Sequence, residues 1–132
     1  MVKTIYNGDY EKKAITEQFL DHLESMLEND PDVVYLDADL MFAFGAGLWD
    51  LVKKYPDRVL RCGIAEANMI GTAAAMSVMG LKPVIHSFAS FVTRRGFDQI
   101  FLSGAYAKKT LNIIGSEPGY KQTYWGGTHM AF

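Results

Sequence analysis

The residues with chemical potential fall in a few short groups. Glu66 stands in Gly63-Ile64-Ala65-Glu66-Ala67-Asn68-Met69, and its helical neighbours Met69, Ile70 and Ala73 are apolar. A carboxyl group held against apolar surface resists ionisation, so its pKa rises and it can exchange a proton near neutrality. The same residue also suits a plainer role, a negative charge in the first turn of a helix. Both readings stay open on residue types alone. Asp37 and Asp39 follow the apolar run Val33-Val34-Tyr35-Leu36. If the strand continues through them, their alternating positions point them in opposite directions, which argues against a dyad. A solvated loop or a helix cap suits them as well. Phe88, Phe91 and Phe97 lie at a strand end and along the next helix, where aromatic side chains ordinarily fill core. Arg94 and Arg95 fall near the start of that helix, where the dipole does not favour cations. The pair points either to an anion or to a solvated surface. His86 reads as a hydrogen-bonded sheet histidine. His129 has no Cys or acidic residue at metal-ligand spacing, so no metal site is expected in the chain. Neither a Gly-x-Gly-x-x-Gly, a Walker loop nor a Gly-x-Ser-x-Gly occurs.

These residues need a scaffold, and the hydrophobic pattern describes one. Ile15, Phe19, Leu23 and Leu27 recur every four residues between charged faces, predicting an amphipathic helix from about Tyr10 to Glu28. Asn29-Asp30-Pro31 ends it. Val33 to Leu36 predicts a buried strand with Asp37-Ala38-Asp39 at its carboxyl end. Residues 41–47 read as a loop, and Leu48 to Tyr55 as a short helix stopped by Pro56. Val59 to Cys62 is a short strand candidate. Ala65 to Met79 is too uniformly apolar for a surface helix and reads as one packed on two sides, ended by Gly80. Lys82 to Ser87 is the next strand, Ser90 to Ala107 a helix, and Leu111 to Ile114 a strand, followed by a Gly-rich loop from Gly115 to Thr128. Helices alternating with strands predict an α/β fold, a three-layer doubly wound domain with a mostly parallel sheet. Ligands of such sheets sit at the carboxyl ends of the strands, where Asp37, Asp39, Phe88 and the 115–129 loop all fall.

Composition sets the outer limits. A chain of 132 residues makes one domain with a real core. Hydrophobic residues at 49% and charged residues at 21% exclude a disordered tail. A formal charge of −2 gives no electrostatic case for nucleic acid or an anionic membrane. The single cysteine, Cys62, cannot make an internal disulfide or a structural zinc site. No apolar run approaches the roughly 20 residues that span a bilayer. The N-terminus lacks a signal-peptide pattern, so a soluble cytoplasmic protein is expected.

Taken together, several motifs carry a resemblance. They are Leu36-Asp37-Ala38-Asp39-Leu40, Gly63 to Met69, Lys82-Pro83 at a strand entry, Phe88-Ala89-Ser90-Phe91-Val92 with Asp98-Gln99, and Gly127-Thr128-His129. In this order and spacing, from Asp32 to His129, the chain resembles the pyrimidine-binding domain of transketolase and of the related deoxyxylulose-phosphate synthases. Those enzymes use thiamine diphosphate. The resemblance implies a thiamine-diphosphate-binding fold with a helical lead-in over residues 1–31. It matches Glu66 to the catalytic glutamate that hydrogen-bonds N1′ of the aminopyrimidine, and Phe91 and Phe88 to the aromatics on that ring. It matches Asp39 to an aspartate near the thiazolium, and His129 to a histidine that contacts substrate hydroxyls. Arg94 falls where the synthases have an arginine near substrate.

The resemblance implies the C-terminal half of a split transketolase, moving a two-carbon ketol unit between sugar phosphates, as in the pentose phosphate pathway. It implies a homodimer and a separate diphosphate-binding subunit holding Mg2+, without which this chain is inactive. The runners-up are a deoxyxylulose-phosphate synthase-like enzyme and a catalytically silent scaffold. Some positions depart from the family pattern. Thr123-Tyr124-Trp125 replaces an acidic stretch, and Glu117 stands where relatives place a His or Arg. The family's last helix and strands, expected beyond His129, are not in the sequence, which suggests a domain truncated at its C-terminus.

Overall fold

The computed structural model describes residues 15–120 and 123–131. Helix α1 spans Ile15–Asn29; the start predicted for it, residues 10–14, lies outside the described residues. Strand β1 (Val33–Asp37) follows, then a 3-10 turn (Met41–Phe44) and α2 (Ala46–Lys54), so the predicted 41–47 loop is partly helical. Next come β2 (Val59–Arg61), α3 (Glu66–Val78) and β3 (Lys82–Phe88). The single helix predicted over 90–107 is broken into α4 (Ala89–Arg94), the short turn α5 (Phe97–Gln99) and a π-helical segment, Ile100–Tyr106. Strand β4 (Asn112–Ser116) runs two residues further than its apolar pattern indicates, and a 3-10 turn, Thr123–Trp125, lies within the predicted loop.

The four strands are all parallel, in the order β2-β1-β3-β4. The chain leaves β1 in one direction to reach β2 and then crosses back to β3, so the strand order reverses next to β1. Strand alternation splits the core into two layers. Val33, Tyr35 and Val84 meet Leu23 and Leu27 of α1 and Leu48 and Leu51 of α2. Val34, Leu36 and Ile85 meet Met69, Ile70 and Ala73 of α3 and Val92 of α4 on the other face. This is the predicted three-layer doubly wound α/β arrangement.

Local chemistry fixes the element ends. Arg58 donates to the carbonyls of Leu27 (2.8 Å) and Asp30 (3.0 Å), occupying acceptors that α1 leaves open at its C-terminus. Helix α3 closes on Gly80, whose φ of +92° is left-handed. Gly80 N–H bonds to Ser77 and Leu81 N–H to Met76, the two reversed bonds of a Schellman end. Among the described residues, α3 packs on β1 and β3 and also against α4 and the segment that follows it, while its C-terminal end is open at Val78 and Met79, the latter 79% exposed. The sheet and the α4 region thus supply the two packed sides that the apolar sequence predicts.

Gly96 explains the break after α4. A Cβ there would stand 2.1 Å from Ile70 Cδ1 and 2.9 Å from the Val92 carbonyl. A side chain there would have to displace the end of Ile70 and would crowd the Val92 carbonyl, so glycine suits the position where the helical path is interrupted.

Candidate active site

The parallel sheet gathers the carboxyl ends of all four strands on one edge, together with the N-terminus of α3. Glu66 is the first residue of α3 and only 1% exposed. Ser87 Oγ donates to its Oε1 at 3.0 Å, and Arg95 Nη1 donates to its Oε2 at 2.5 Å. The expected apolar setting is present only in part. Met69 and Ile70 are buried nearby on the helix, but Ile64 is 74% exposed, and the carboxyl oxygens meet a hydroxyl and a guanidinium.

Arg95 also lies over the Phe91 ring, with Cζ 4.5 Å from the ring centroid. Residues four apart on a helix are neighbours on its surface, which brings this guanidinium back over that ring. Arg94 and Arg95 therefore stand at the end of α4, where the dipole favours cations, and not at a helix start. Arg94 Nε donates to the Ser90 carbonyl (3.1 Å) and its Nη2 to the Thr128 carbonyl (2.6 Å). It fastens the loop carrying His129 to α4.

The aromatic residues build one wall. His129 packs edge-on against Phe91 at 4.9 Å, Trp125 at 4.8 Å and Phe88 at 5.7 Å between centroids. Thr128 Oγ1 lies 2.9 Å from His129 Nδ1. Phe88 and Phe91 meet at 6.1 Å. Phe88 is buried, as expected of an aromatic there, Phe91 is half-buried, and Phe97 is exposed. A shallow cleft of about 360 Å³ opens beside Phe91, lined by Ser90, Arg94, Arg95 and Thr128. Ser90 is fully buried at this cleft, and its hydroxyl has no hydrogen-bond partner among the described residues.

Asp39 sits beyond the end of β1, towards β2. Its φ of +63° is left-handed, a conformation that Asp tolerates better than most residues. Its carboxylate pairs with Arg61 of β2 at 3.0 Å, and the Arg61 guanidinium lies over Trp49. The site thus brings Glu66, Phe88, Phe91, Arg94 and His129 together on the β3 side, with Asp39 on the β2 side.

Sequence reasoning missed three participants. Ser87 alternates with His86 on β3, so it faces α3 while His86 faces the opposite layer. Arg95 is legible only once α4 is known to carry it back over Phe91. The third is Asp37, which is neither a solvated loop residue nor a simple cap. It is the last residue of β1 and fully buried. It takes hydrogen bonds from Tyr35 Oη (3.1 Å) and Leu40 N–H (2.5 Å), and lies 2.8 Å from His86 Nδ1. His86 Nε2 lies 3.0 Å from Ser116 Oγ. Burial, and next the charge of Asp37, push the Tyr35 phenol far above its ordinary range. Burial and the same charge push the Cys62 thiol up.

The chain matches the family model described as transketolase, pyrimidine binding domain, over residues 11–132. It belongs to that family. Among relatives, it is 40% identical over 121 residues to a 6-deoxy-6-sulfo-D-fructose transketolase subunit, SqwH, of Clostridium sp. (strain MSTE9). That match covers 92% of this chain and 37% of the relative. A 1-deoxy-D-xylulose-5-phosphate synthase of Frankia casuarinae is 35% identical over 99 residues, covering 75% of this chain and 15% of the enzyme. An apulose-4-phosphate transketolase subunit of Phocaeicola vulgatus is 28% identical over 116 residues, 88% of this chain and 36% of that protein. A solved structure described as a split gene transketolase, inactive beta4 tetramer, superposes with a TM-score of 0.68 at 33% identity, over 80% of this chain and 35% of that one. The chain therefore spans little more than a third of the transketolase subunits it matches and a smaller share of the synthase.

As a transketolase pyrimidine-binding domain, the chain is expected to serve thiamine diphosphate. Its residues fit the pyrimidine end of that group. The buried Glu66 carboxylate lies behind Arg95, which lines the cleft beside Phe91, and the orphaned Ser90 hydroxyl leaves a polar valence open there. Among the described residues no cluster of His, Cys, Asp or Glu could hold a metal ion. No described helix is long and apolar enough to cross a membrane.

Proposed function

We propose that this chain forms the pyrimidine-binding part of a two-subunit, thiamine-diphosphate-dependent transketolase. The observation that carries the reading is the buried Glu66 carboxylate at the sheet edge, beside Phe88, Phe91 and His129. When bound, thiamine diphosphate supplies a thiazolium carbon that can carry a two-carbon ketol unit from a donor sugar to an acceptor.

The residues of this chain bind and orient that group. Glu66 holds a proton at N1′ of the pyrimidine, with Ser87 fixing one oxygen so that the other faces the ring. Phe91, with Phe88 behind it, covers the ring face and excludes water. His129 is set by Phe91, Trp125 and Thr128 to meet substrate hydroxyls. Arg94 anchors that loop and places its remaining guanidinium donor beside an anionic substrate. Asp39, pinned by Arg61, borders the thiazolium.

Mg2+ and the diphosphate belong to a separate subunit, and the lone chain is inactive and binds the cofactor weakly. The inactive tetramer of the split-gene relative supports this, as do the two relatives that are themselves transketolase subunits. Self-association as a homodimer is supported by the exposed apolar pair Val78 and Met79 at the C-terminal end of α3. Substrates are ketoses with an anionic group distant from the reacting carbonyl, the pattern in the names of the sulfofructose and apulose-phosphate relatives. Exchange between sugar phosphates, as in the pentose phosphate pathway, is one such reaction, and the cytoplasm is its setting. The synthase relatives support a second reading, a deoxyxylulose-phosphate synthase-like activity.

The test is reconstitution with a diphosphate-binding subunit. Ketol transfer between sugar phosphates that needs both subunits, thiamine diphosphate and Mg2+ is the expected result. Condensation with release of carbon dioxide from an α-keto acid would favour the synthase reading. No turnover with any donor, in a complex that binds the cofactor, would leave the chain a scaffold.

A further inference from the structure

Arg95 makes two contacts at once. Its guanidinium lies over the Phe91 ring, 4.5 Å from Cζ to the centroid, and donates to the Glu66 carboxylate at 2.5 Å. A flat group with an N–H donor in its plane, stacked on Phe91 and hydrogen-bonded to Glu66, is also what the pyrimidine ring of the cofactor is proposed to be. A planar guanidinium reproduces the face and the donor of such a ring. The two groups cannot occupy one carboxylate oxygen and one ring face together.

We infer that Arg95 is a placeholder in the ligand-free chain, filling the pyrimidine position and swinging out when the cofactor enters. This rests on the proposed roles of Glu66 and Phe91. Arg95 is well placed for that motion. It caps α4 immediately before the break at Gly96, and its side chain is 44% exposed. The guanidinium can therefore reach water without crossing the core. In the ligand-free state it keeps the buried Glu66 carboxylate paired, which otherwise would stand beside apolar side chains with Ser87 as its remaining partner among the described residues.

The inference predicts opposite signs for two properties of one variant. R95A should lower the melting temperature of the ligand-free chain, because Glu66 loses its charged partner. The same variant should bind thiamine diphosphate more tightly. Removing a closed state that most molecules occupy lowers the apparent Kd by about three- to tenfold. Saturation-transfer NMR with thiamine diphosphate and Mg2+ reads binding into the millimolar range, so the isolated chain can be titrated, with E66Q and F91A alongside.

Tighter binding by R95A with a lower melting temperature supports the placeholder. Unchanged or weaker binding by R95A, while E66Q and F91A bind more weakly than wild type, overturns it and leaves the site intact. If E66Q and F91A bind as wild type does, the proposed cofactor site itself is wrong. No detectable binding by R95A also overturns the inference, since opening the position should expose the ring site.

Discussion

Asp37 and His86 are register partners on adjacent parallel strands, and their side chains meet at 2.8 Å with no exposure to solvent. A carboxylate can only accept, so Nδ1 carries the hydrogen of this bond. The chain extends through His86 Nε2 to Ser116 of β4 and back through Asp37 to Tyr35. Three neighbouring strands are thereby tied at the edge that bears the site.

Removing the histidine should expose how much this tie contributes. His86→Ala leaves Asp37 buried without one of its partners and opens a cavity between strands. Breaking such a pair from one side costs about 3 kcal/mol. Urea unfolding followed by far-UV circular dichroism should show a midpoint lowered accordingly. A change within experimental scatter would mean that Tyr35 and Leu40 alone satisfy Asp37.

The close approach at Gly96 gives a second prediction. Gly96→Ala drives a methyl group into Ile70 Cδ1 at 2.1 Å, and overpacking of this kind costs about 1–3 kcal/mol. Ile70→Val removes that Cδ1, so the double variant should recover part of the loss. The thermal midpoints of both single variants and the double should thus be non-additive. Strict additivity would show that the strain lies instead at the Val92 carbonyl.

Tyr35 predicts an alkaline limit. Burial first, and the nearby Asp37 charge second, raise its phenol above the ordinary value of 10.0. A raised folded-state pKa gives stability that is fully present below the unfolded value and lost as pH rises beyond it. Above about pH 10 the unfolded chain releases this proton and the folded chain keeps it. Stability should then fall by about 1.4 kcal/mol per pH unit from this one group. Tyr35→Phe should flatten that slope between about pH 10 and 11, at a constant cost at neutral pH from the lost bond to Asp37. Parallel slopes for the two proteins would assign the alkaline loss to other groups.

The fold was largely legible because periodicity records burial directly. Apolar residues recurring every four positions marked α1, and the solid apolar runs marked β1 and β3. The break in the 90–107 helix was not legible, because it falls at Gly96, where the chain passes close to Ile70, a residue distant in sequence. The same limit applied to the site. The family motifs pointed to Glu66, Phe88, Phe91, Arg94 and His129, which the fold places together. The partners that hold Glu66 come from elsewhere: Ser87 is selected by strand alternation and Arg95 by the helical return over Phe91. Asp37 looked like a loop residue because a charge at a strand end normally meets water. Here a histidine on the next strand replaces that water.

The decisive variant for the proposed chemistry is Glu66→Gln. The amide has the volume of the carboxyl and can still accept from Ser87, but it no longer carries a charge opposite Arg95. Because Arg95 is itself partly exposed, water can solvate it, and the folded state should survive with a loss of about 1 kcal/mol. Catalysis in the reconstituted complex should respond far more. An amide cannot give up or take back a proton at N1′ near neutral pH, so kcat should fall by at least about a hundredfold, the scale of a lost positioned acid–base group. Glu66→Gln should lose cofactor affinity as well as turnover, whereas Phe91→Ala should act through affinity alone, weakening it by about 1–3 kcal/mol through the lost aromatic face. Hydrogen–deuterium exchange at carbon 2 of the thiazolium, measured in the saturated complex, separates the two. It should slow in Glu66→Gln and hold near the wild-type rate in Phe91→Ala. An unchanged rate in Glu66→Gln would remove this carboxylate from the chemistry and make association, not catalysis, the better account of the chain.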